Sequence, residues 1–347
     1  MTERTHPYSA LPDRAFWKKS VSNRHFADLS DLWTGMPLEP TDKIATAGSC
    51  FAQHIGRALQ TRGANFLDME PAPSFLDADA ARKWGYGIFS CRYGNLYTAR
   101  QLLQLFDEAF GHRTPADSVW QKDDRFFDAL RPAIDPVGQA DAATVMALRQ
   151  GHLAAVRKMF ENLDLLVMTL GLTEGWVSLE DGTVYPTAPG TIAGTYDPQK
   201  YTFINFSYED VRNDLKLFWT KLREVNPNAR MLLTVSPVPL QATASEDHVL
   251  VATTYSKSVL RAVAGDIANA DPNITYFPSY EIITAPSGRG MYYDPDWRNV
   301  NLYGVNYVMS HFFSGLHGKD FADPTTDVAG EEDVVCDEEA MFKAIGN

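Results

Sequence analysis

Apolar and polar positions alternate along this chain on two different periods. Continuous apolar runs occur at Lys43–Ala47, Asp164–Leu170, Arg230–Ser236 and Ile274–Phe277. Short runs of this kind, bounded by turn residues, predict strands buried on both faces. Between them apolar residues recur at helical spacing, predicting helices over Phe51–Arg62, Thr98–Phe110, Ala142–Leu163, Tyr208–Val225, His248–Ala268 and Gly304–Leu316. On the first of these, Phe51, Ile55, Ala58 and Leu59 share a face, and Gly63 stands where a left-handed residue would close the helix. A further short strand is expected near Asn65–Leu67. Strands separated by helices require right-handed crossovers, so the predicted fold class is α/β with a mainly parallel sheet.

The remaining segments lack either period. Residues 1–42 read as an irregular arm, with Trp17 and Trp33 expected to anchor it on the core. Gly111–Val137 reads as an insertion, and Trp176–Phe206, dense in Gly, Pro and Thr, as a β-rich flap. Residues 43–318 form the expected α/β domain. Residues 319–347, with Asp320, Asp323, Asp327, Glu331, Glu332 and Asp333 among the acids, read as a solvated acidic tail with a short terminal helix.

Charge narrows the partners. The formal net charge is -13, from 31 basic and 44 acidic residues, which argues against nucleic acid, whose binders carry a clustered basic excess. No run approaches the roughly 18 apolar residues of a membrane span, and the first residues lack a secretory apolar core. A soluble cytoplasmic chain without membrane insertion is expected. Cys50, Cys91 and Cys336 are an odd, widely spaced set, which favours reduced thiols, and no Cys/His spacing suggests a metal site. No cofactor or metal is expected, and no feature of the sequence sets an oligomeric state.

Ligands of open parallel sheets bind beyond the carboxyl ends of the strands. That rule selects Gly48-Ser49-Cys50, Gly171-Leu172-Thr173-Glu174, Ser236-Pro237-Val238-Pro239 and Asp294-Pro295-Asp296-Trp297-Arg298-Asn299. Cys50 is the leading nucleophile candidate. It stands at a strand-to-helix turn, where the helix N-terminus favours a thiolate and can hold an oxyanion. His54 lies one turn on and can lean back toward Cys50 or be a partly buried structural histidine. His248 follows Ser245-Glu246-Asp247 and is either a base swung over the rim or a helix cap. Glu174 is an orienting acid or half of an ion pair with Arg92 or Arg298. Asp296 is an orienting acid or a turn residue. Arg92, Asn95 and Tyr97, on a Gly-containing loop, read as substrate contacts. Lys257 reads as a helix-surface residue.

Gly48-Ser49-Cys50-Phe51-Ala52 resembles the eponymous motif of the GSCFA family, related to the SGNH/GDSL hydrolases. Tyr86-Gly87-Ile88-Phe89-Ser90, Arg92-Tyr93-Gly94-Asn95, Thr169-Leu170-Gly171-Leu172-Thr173-Glu174, Thr234-Val235-Ser236-Pro237-Val238-Pro239 and Ser256-Lys257-Ser258 extend the resemblance from about residue 43 to residue 313. It implies a flavodoxin-like three-layer α/β/α sandwich. With the glycines in register, Ser49 stands at the superfamily's Asp position and Cys50 at its nucleophile. The oxyanion donors implied are the Cys50 N–H, Gly94 with Asn95, and Gly171 with Thr173 at the Asn position. The superfamily's Asp-x-x-His block falls on Asp296-Trp297-Arg298-Asn299, so Asn299, which cannot act as a base near neutral pH, replaces the histidine. The resemblance implies an acyl-ester hydrolase or acyltransferase with a Cys nucleophile, acting on an O-acylated glycan or related small molecule. Asn299 supports the alternative, a non-catalytic glycan-binding or scaffold protein.

Overall fold

In the computed structural model, which describes residues 6–317, the four apolar runs form one parallel sheet. In chain order the strands are β1 (Met36–Pro37), β2 (Ile44–Gly48), β3 (Val119–Lys122), β4 (Arg125–Asp128), β5 (Leu165–Leu170), β6 (Glu174–Ser178), β7 (Val184–Tyr185), β8 (Tyr201–Asn205), β9 (Arg230–Val235), β10 (Ile274–Phe277) and β11 (Leu316–His317). The helices are α1 (Phe51–Thr61), α2 (Ala78–Lys83), α3 (Ala99–Ala109), α4 (Ala142–Asn162), α5 (Tyr208–Val225), α6 (Val249–Ala270), α7 (Ser279–Thr284) and α8 (Leu302–Ser314).

The central sheet runs β10-β9-β5-β2 with every pairing parallel. The strand expected at Asn65–Leu67 is reduced to a single parallel bridge, Ile44 to Phe66, held by Ile44 N–H to Asn65 O and Leu67 N–H to Ile44 O, both 2.9 Å. With it at the edge, the spatial order is the flavodoxin-like 2-1-3-4-5. Side chains alternate between two apolar layers, as the pleat requires. Leu165 and Val167 of β5 pack with α1, α7 and α8, whereas Leu166, Met168 and Leu170 pack with α3, α4, α5 and α6. The fold is therefore a three-layer α/β/α sandwich.

The Gly-, Pro- and Thr-rich segment forms an antiparallel sheet, β7-β6-β8, and the insertion before α4 contains the β3-β4 hairpin. Their aromatic residues share a small core in which Trp120 lies 4.9 Å from Tyr185. The N-terminal arm behaves differently at its two tryptophans. Trp33 packs edge-on against Phe277 at 4.9 Å, but Trp17 is 65% exposed and anchors nothing. Residues 319–347 and Cys336 lie outside the described residues. Among the described residues no helix is long and apolar enough to cross a membrane.

A buried charge network fastens the hairpin to the sandwich. Arg149 of α4 donates to both oxygens of Asp128 on β4 (2.9 and 3.1 Å) and to Glu108 of α3. Arg131 donates to Asp128 at 2.7 Å and to the Arg92 carbonyl at 2.9 Å. His152 Nδ1 meets Glu70 Oε2 at 2.7 Å. Burial acts to raise the Glu70 pKa, but the His152 hydrogen bond and the Arg131 charge outweigh it and hold the carboxyl at about 2. Burial, then the Arg131 charge, push the His152 pKa down to about 4 despite Glu70. At neutral pH a neutral imidazole therefore donates Nδ1–H to a carboxylate.

This arrangement sets a pH dependence. A histidine whose pKa is depressed by folding stabilises the fold above its unfolded value, and that stability is lost as pH falls toward the folded value. The thermal midpoint should be flat just above pH 6.5 and fall between 6.5 and about 4. His54, pushed down to about 4 by burial, contributes in the same window. Melting curves of wild type and His152→Gln should show a shallower fall in the variant; equal slopes would contradict the assignment.

Candidate active site

The chain reverses its strand order between β2 and β5, and at that switch point the first two rim segments meet. Gly48 makes the turn possible. Its φ is +135°, and a Cβ there would lie 2.3 Å from the Thr169 carbonyl oxygen, closer than any side chain tolerates. Its carbonyl accepts from Leu96 N–H at 2.9 Å, and Ser49 N–H donates to Thr169 O at 3.1 Å. Cys50 then opens α1 in helical conformation, with Ala52 N–H bonded to Ser49 O at 2.8 Å and Gln53 N–H to Cys50 O at 3.1 Å. Gly48→Ala combines backbone strain with a backbone clash and should cost about 3 kcal/mol or more in urea denaturation. A loss below about 1 kcal/mol would show that the turn relaxes.

Ser49 and Cys50 line a cleft of about 220 Å³ with Tyr97, Gly171, Leu172, Ser236, Val238, Pro239, Leu240 and Lys257. Three of the four rim segments thus converge. Gly171 is held by its N–H to Tyr97 O at 3.1 Å, and a Cβ on it would lie 2.9 Å from Ser49 Cβ. Its carbonyl accepts from Lys257 Nζ at 2.6 Å. Ser236 N–H bonds Leu170 O at 2.9 Å, which fixes the third segment on the end of β5. Cys50 is 4% exposed, and the Ser49 hydroxyl is buried with no hydrogen-bond partner among the described residues.

The other sequence candidates stand elsewhere. His54 is on α1 and does not line the cleft; its ring packs edge-on against Phe51, 5.6 Å between centroids. His248 caps α6, its Nδ1 accepting from Leu250 N–H at 3.1 Å, and is exposed. Glu174 accepts from the Thr243 hydroxyl at 2.7 Å rather than pairing with Arg92 or Arg298, and burial raises its pKa. Thr173 is spoken for twice: its N–H donates to Ser256 Oγ at 2.9 Å and its hydroxyl to Asn205 Oδ1 at 2.6 Å. Gly94 (φ +69°) faces Ile134, and Asn95, buried, accepts from Gln53 Nε2 at 3.2 Å on the first turn of α1.

Arg92 does not line the cleft. Its guanidinium donates to Trp84 O at 3.0 and 2.7 Å and lies 4.0 Å above the Tyr86 ring. The Asp296 block closes on itself. Asp296 accepts from the N–H groups of Arg298 and Asn299 at 2.9 and 3.0 Å and from the Asn299 amide at 2.9 Å, with Trp297 left-handed at φ +58°. Asp296 and Asn299 are both exposed, and the Arg298 side chain runs alongside Asn299. The block still adjoins the rim, since the Tyr293 hydroxyl donates to Pro237 O at 2.9 Å.

Tyr97, expected to contact substrate, does line the cleft, whereas Lys257 is a polar cleft residue whose place the sequence does not make plain. Lys257 is 2% exposed, not a surface residue. The signal was present in the spacing of α6: Ala252, Ser256, Val259, Leu260, Val263, Ala264 and Ile267 form its buried stripe, and Lys257 falls on the same arc, three and six residues before Leu260 and Val263.

The family model described as the GSCFA family matches residues 43–312. No curated protein matches the chain. Among solved structures, a candidate GDSL-like lipase from Parabacteroides merdae aligns at 12% identity over 81% of this chain and 98% of that one, with a TM-score of 0.33. An acetyl xylan esterase from the rumen bacterium Butyrivibrio proteoclasticus aligns at 16% identity over 70% of this chain and 56% of that one, with a TM-score of 0.23.

Proposed function

Because the chain belongs to the GSCFA family, we propose that it transfers or hydrolyses short acyl groups through Cys50. The observation that carries this reading is the convergence of Ser49-Cys50, at the N-terminus of α1, with the Gly171-Leu172 and Ser236–Pro239 loops in one cleft at the switch point of the sheet. A thiol there stands at the N-terminus of a helix, whose dipole favours a thiolate. The same positive end suits the negative charge that develops on the carbonyl under attack. The unpartnered Ser49 hydroxyl, beside the thiol, is a further group that a bound ester can satisfy.

Four of the ten residues lining the cleft are apolar, Leu172, Val238, Pro239 and Leu240, which suits the hydrocarbon part of an acyl group beside the polar groups that act on its carbonyl. The acceptor side favours a glycan. Trp297 is 67% exposed on the loop tied to the rim by Tyr293, and a flat aromatic face beside a polar rim suits a sugar ring. The competing reading, a glycan-binding scaffold, draws on the absence of imidazole among the described residues lining the cleft.

A panel of acyl esters of increasing chain length, with acetylated oligosaccharides, separates the readings. Turnover of acyl esters that is lost in Cys50→Ala is the expected result, and the preferred chain length reports the acyl group the cleft accepts. Binding of the oligosaccharides with no turnover of any ester would favour the scaffold and overturn the enzyme.

A further inference from the structure

The geometry points to Lys257 as the proton carrier of this site, in place of the histidine that Asn299 replaces. The inference rests on the Cys50 reading above and adds the group that serves the thiol. Lys257 is buried in the wall of the same cleft as Cys50 and is fixed there by its 2.6 Å bond to the Gly171 carbonyl. Gly171 is the residue that abuts Ser49, the neighbour of the thiol. The amine is therefore anchored to the strand end that faces the nucleophile, not suspended from a mobile surface chain. Buried lysines serve as general bases because their amine form is reached far more readily than in water.

Neither candidate histidine lines the cleft. His248 is engaged as the cap of α6 and exposed. Among the described lining residues the titratable groups are Cys50 at the N-cap of α1, Tyr97 before α3 and Lys257 on α6; the Ser236–Leu240 loop contributes none. No carboxylate is among the described residues lining the cleft; of the rim acids, Glu174 bonds Thr243 and Asp296 its own turn.

The step balances as follows. The Lys257 amine takes the Sγ proton as the Sγ–C bond forms and the carbonyl π pair moves onto oxygen. The adduct collapses, the C–O bond breaks, and the leaving alkoxide takes a proton from the Lys257 ammonium, leaving a thioester and a neutral amine. The amine then removes a proton from the attacking water or acceptor hydroxyl. The C–S bond breaks, and the departing thiolate recovers that proton.

Three variants test this, read by the rate at which a short acyl ester labels Cys50 and by the rate at which the label is lost, both followed by peptide mass. Lys257→Met, close in volume, should slow labelling by about 100-fold or more. Lys257→Arg keeps the charge and a donor for Gly171 O but cannot release its proton, so it should be as slow as Lys257→Met. Lys257→Ala should recover rate in proportion to added methylamine. Recovery by Lys257→Arg, or wild-type rates in Lys257→Met, would reduce Lys257 to a structural support of Gly171 while leaving the Cys50 reading intact. Absence of any label on wild-type Cys50 would instead remove the Cys50 reading itself.

Discussion

Cys50→Ala should lower kcat/KM for short acyl esters by about 10³-fold or more, the scale on which removing a nucleophile from a covalent mechanism is felt. The fold should survive the change. Cys50 is small and lines a cleft rather than the centre of either apolar layer, so the cost should stay near 1 kcal/mol and the thermal midpoint should move by only a few degrees. Cys50→Ser is the sharper variant. It preserves the turn and the volume but exchanges a thiol for a hydroxyl, which needs a strong base to react. A hydroxyl is far less acidic than a thiol, so the amine that serves the thiol should serve it poorly, and the serine variant should fall far below wild type. Serine activity close to wild type would mean that Lys257 takes a proton from a hydroxyl as readily as from a thiol.

Arg149→Met should destabilise the protein by about 3–5 kcal/mol in chemical denaturation, the range for breaking a buried ion pair from one side. Arg149 is 3% exposed and bridges Asp128 and Glu108, on different elements. Burial presses the Asp128 pKa upward, and the Arg149 and Arg131 charges overcome it and keep that carboxyl low. Burial dominates at Glu108, whose pKa stays raised even with Arg149 beside it. Without the guanidinium both acids must protonate or open the hairpin to water. Because the network sits under the β3-β4 insertion and not in the Cys50 cleft, activity per folded molecule should be preserved. A loss below about 1 kcal/mol would show that Arg131 alone sustains Asp128.

The layered architecture was legible because strand and helix periods are local. The helix predicted over Tyr208–Val225 and the strand over Ile274–Phe277 have those bounds in the structure. The rule that ligands sit beyond strand carboxyl ends was enough to bring Ser49, Cys50, Gly171 and Ser236 to one cleft. What failed were judgements of where single polar side chains point. Arg92, read as a substrate contact, spends its donors on Trp84 O, a carbonyl eight residues away. Glu174 meets Thr243, 69 residues on, and Thr173 meets Ser256, 83 residues on. No periodicity reports such partners, which depend on loop closure. Trp17 departs for the opposite reason: aromatic character alone suggests burial, but the residue lies in an arm without periodicity and is 65% exposed. For Lys257 residue type suggests a surface position, whereas its phase on α6 marks it as buried.

The most direct measurement is the location of the acyl group during turnover. Wild-type protein mixed with a short p-nitrophenyl ester, quenched in acid and digested, should carry the acyl mass on the peptide containing Cys50. Cys50→Ala should carry none. An acyl group on Ser49 or Lys257 with Cys50 unmodified, or undiminished turnover in Cys50→Ala, would contradict the assignment of Cys50 as the nucleophile.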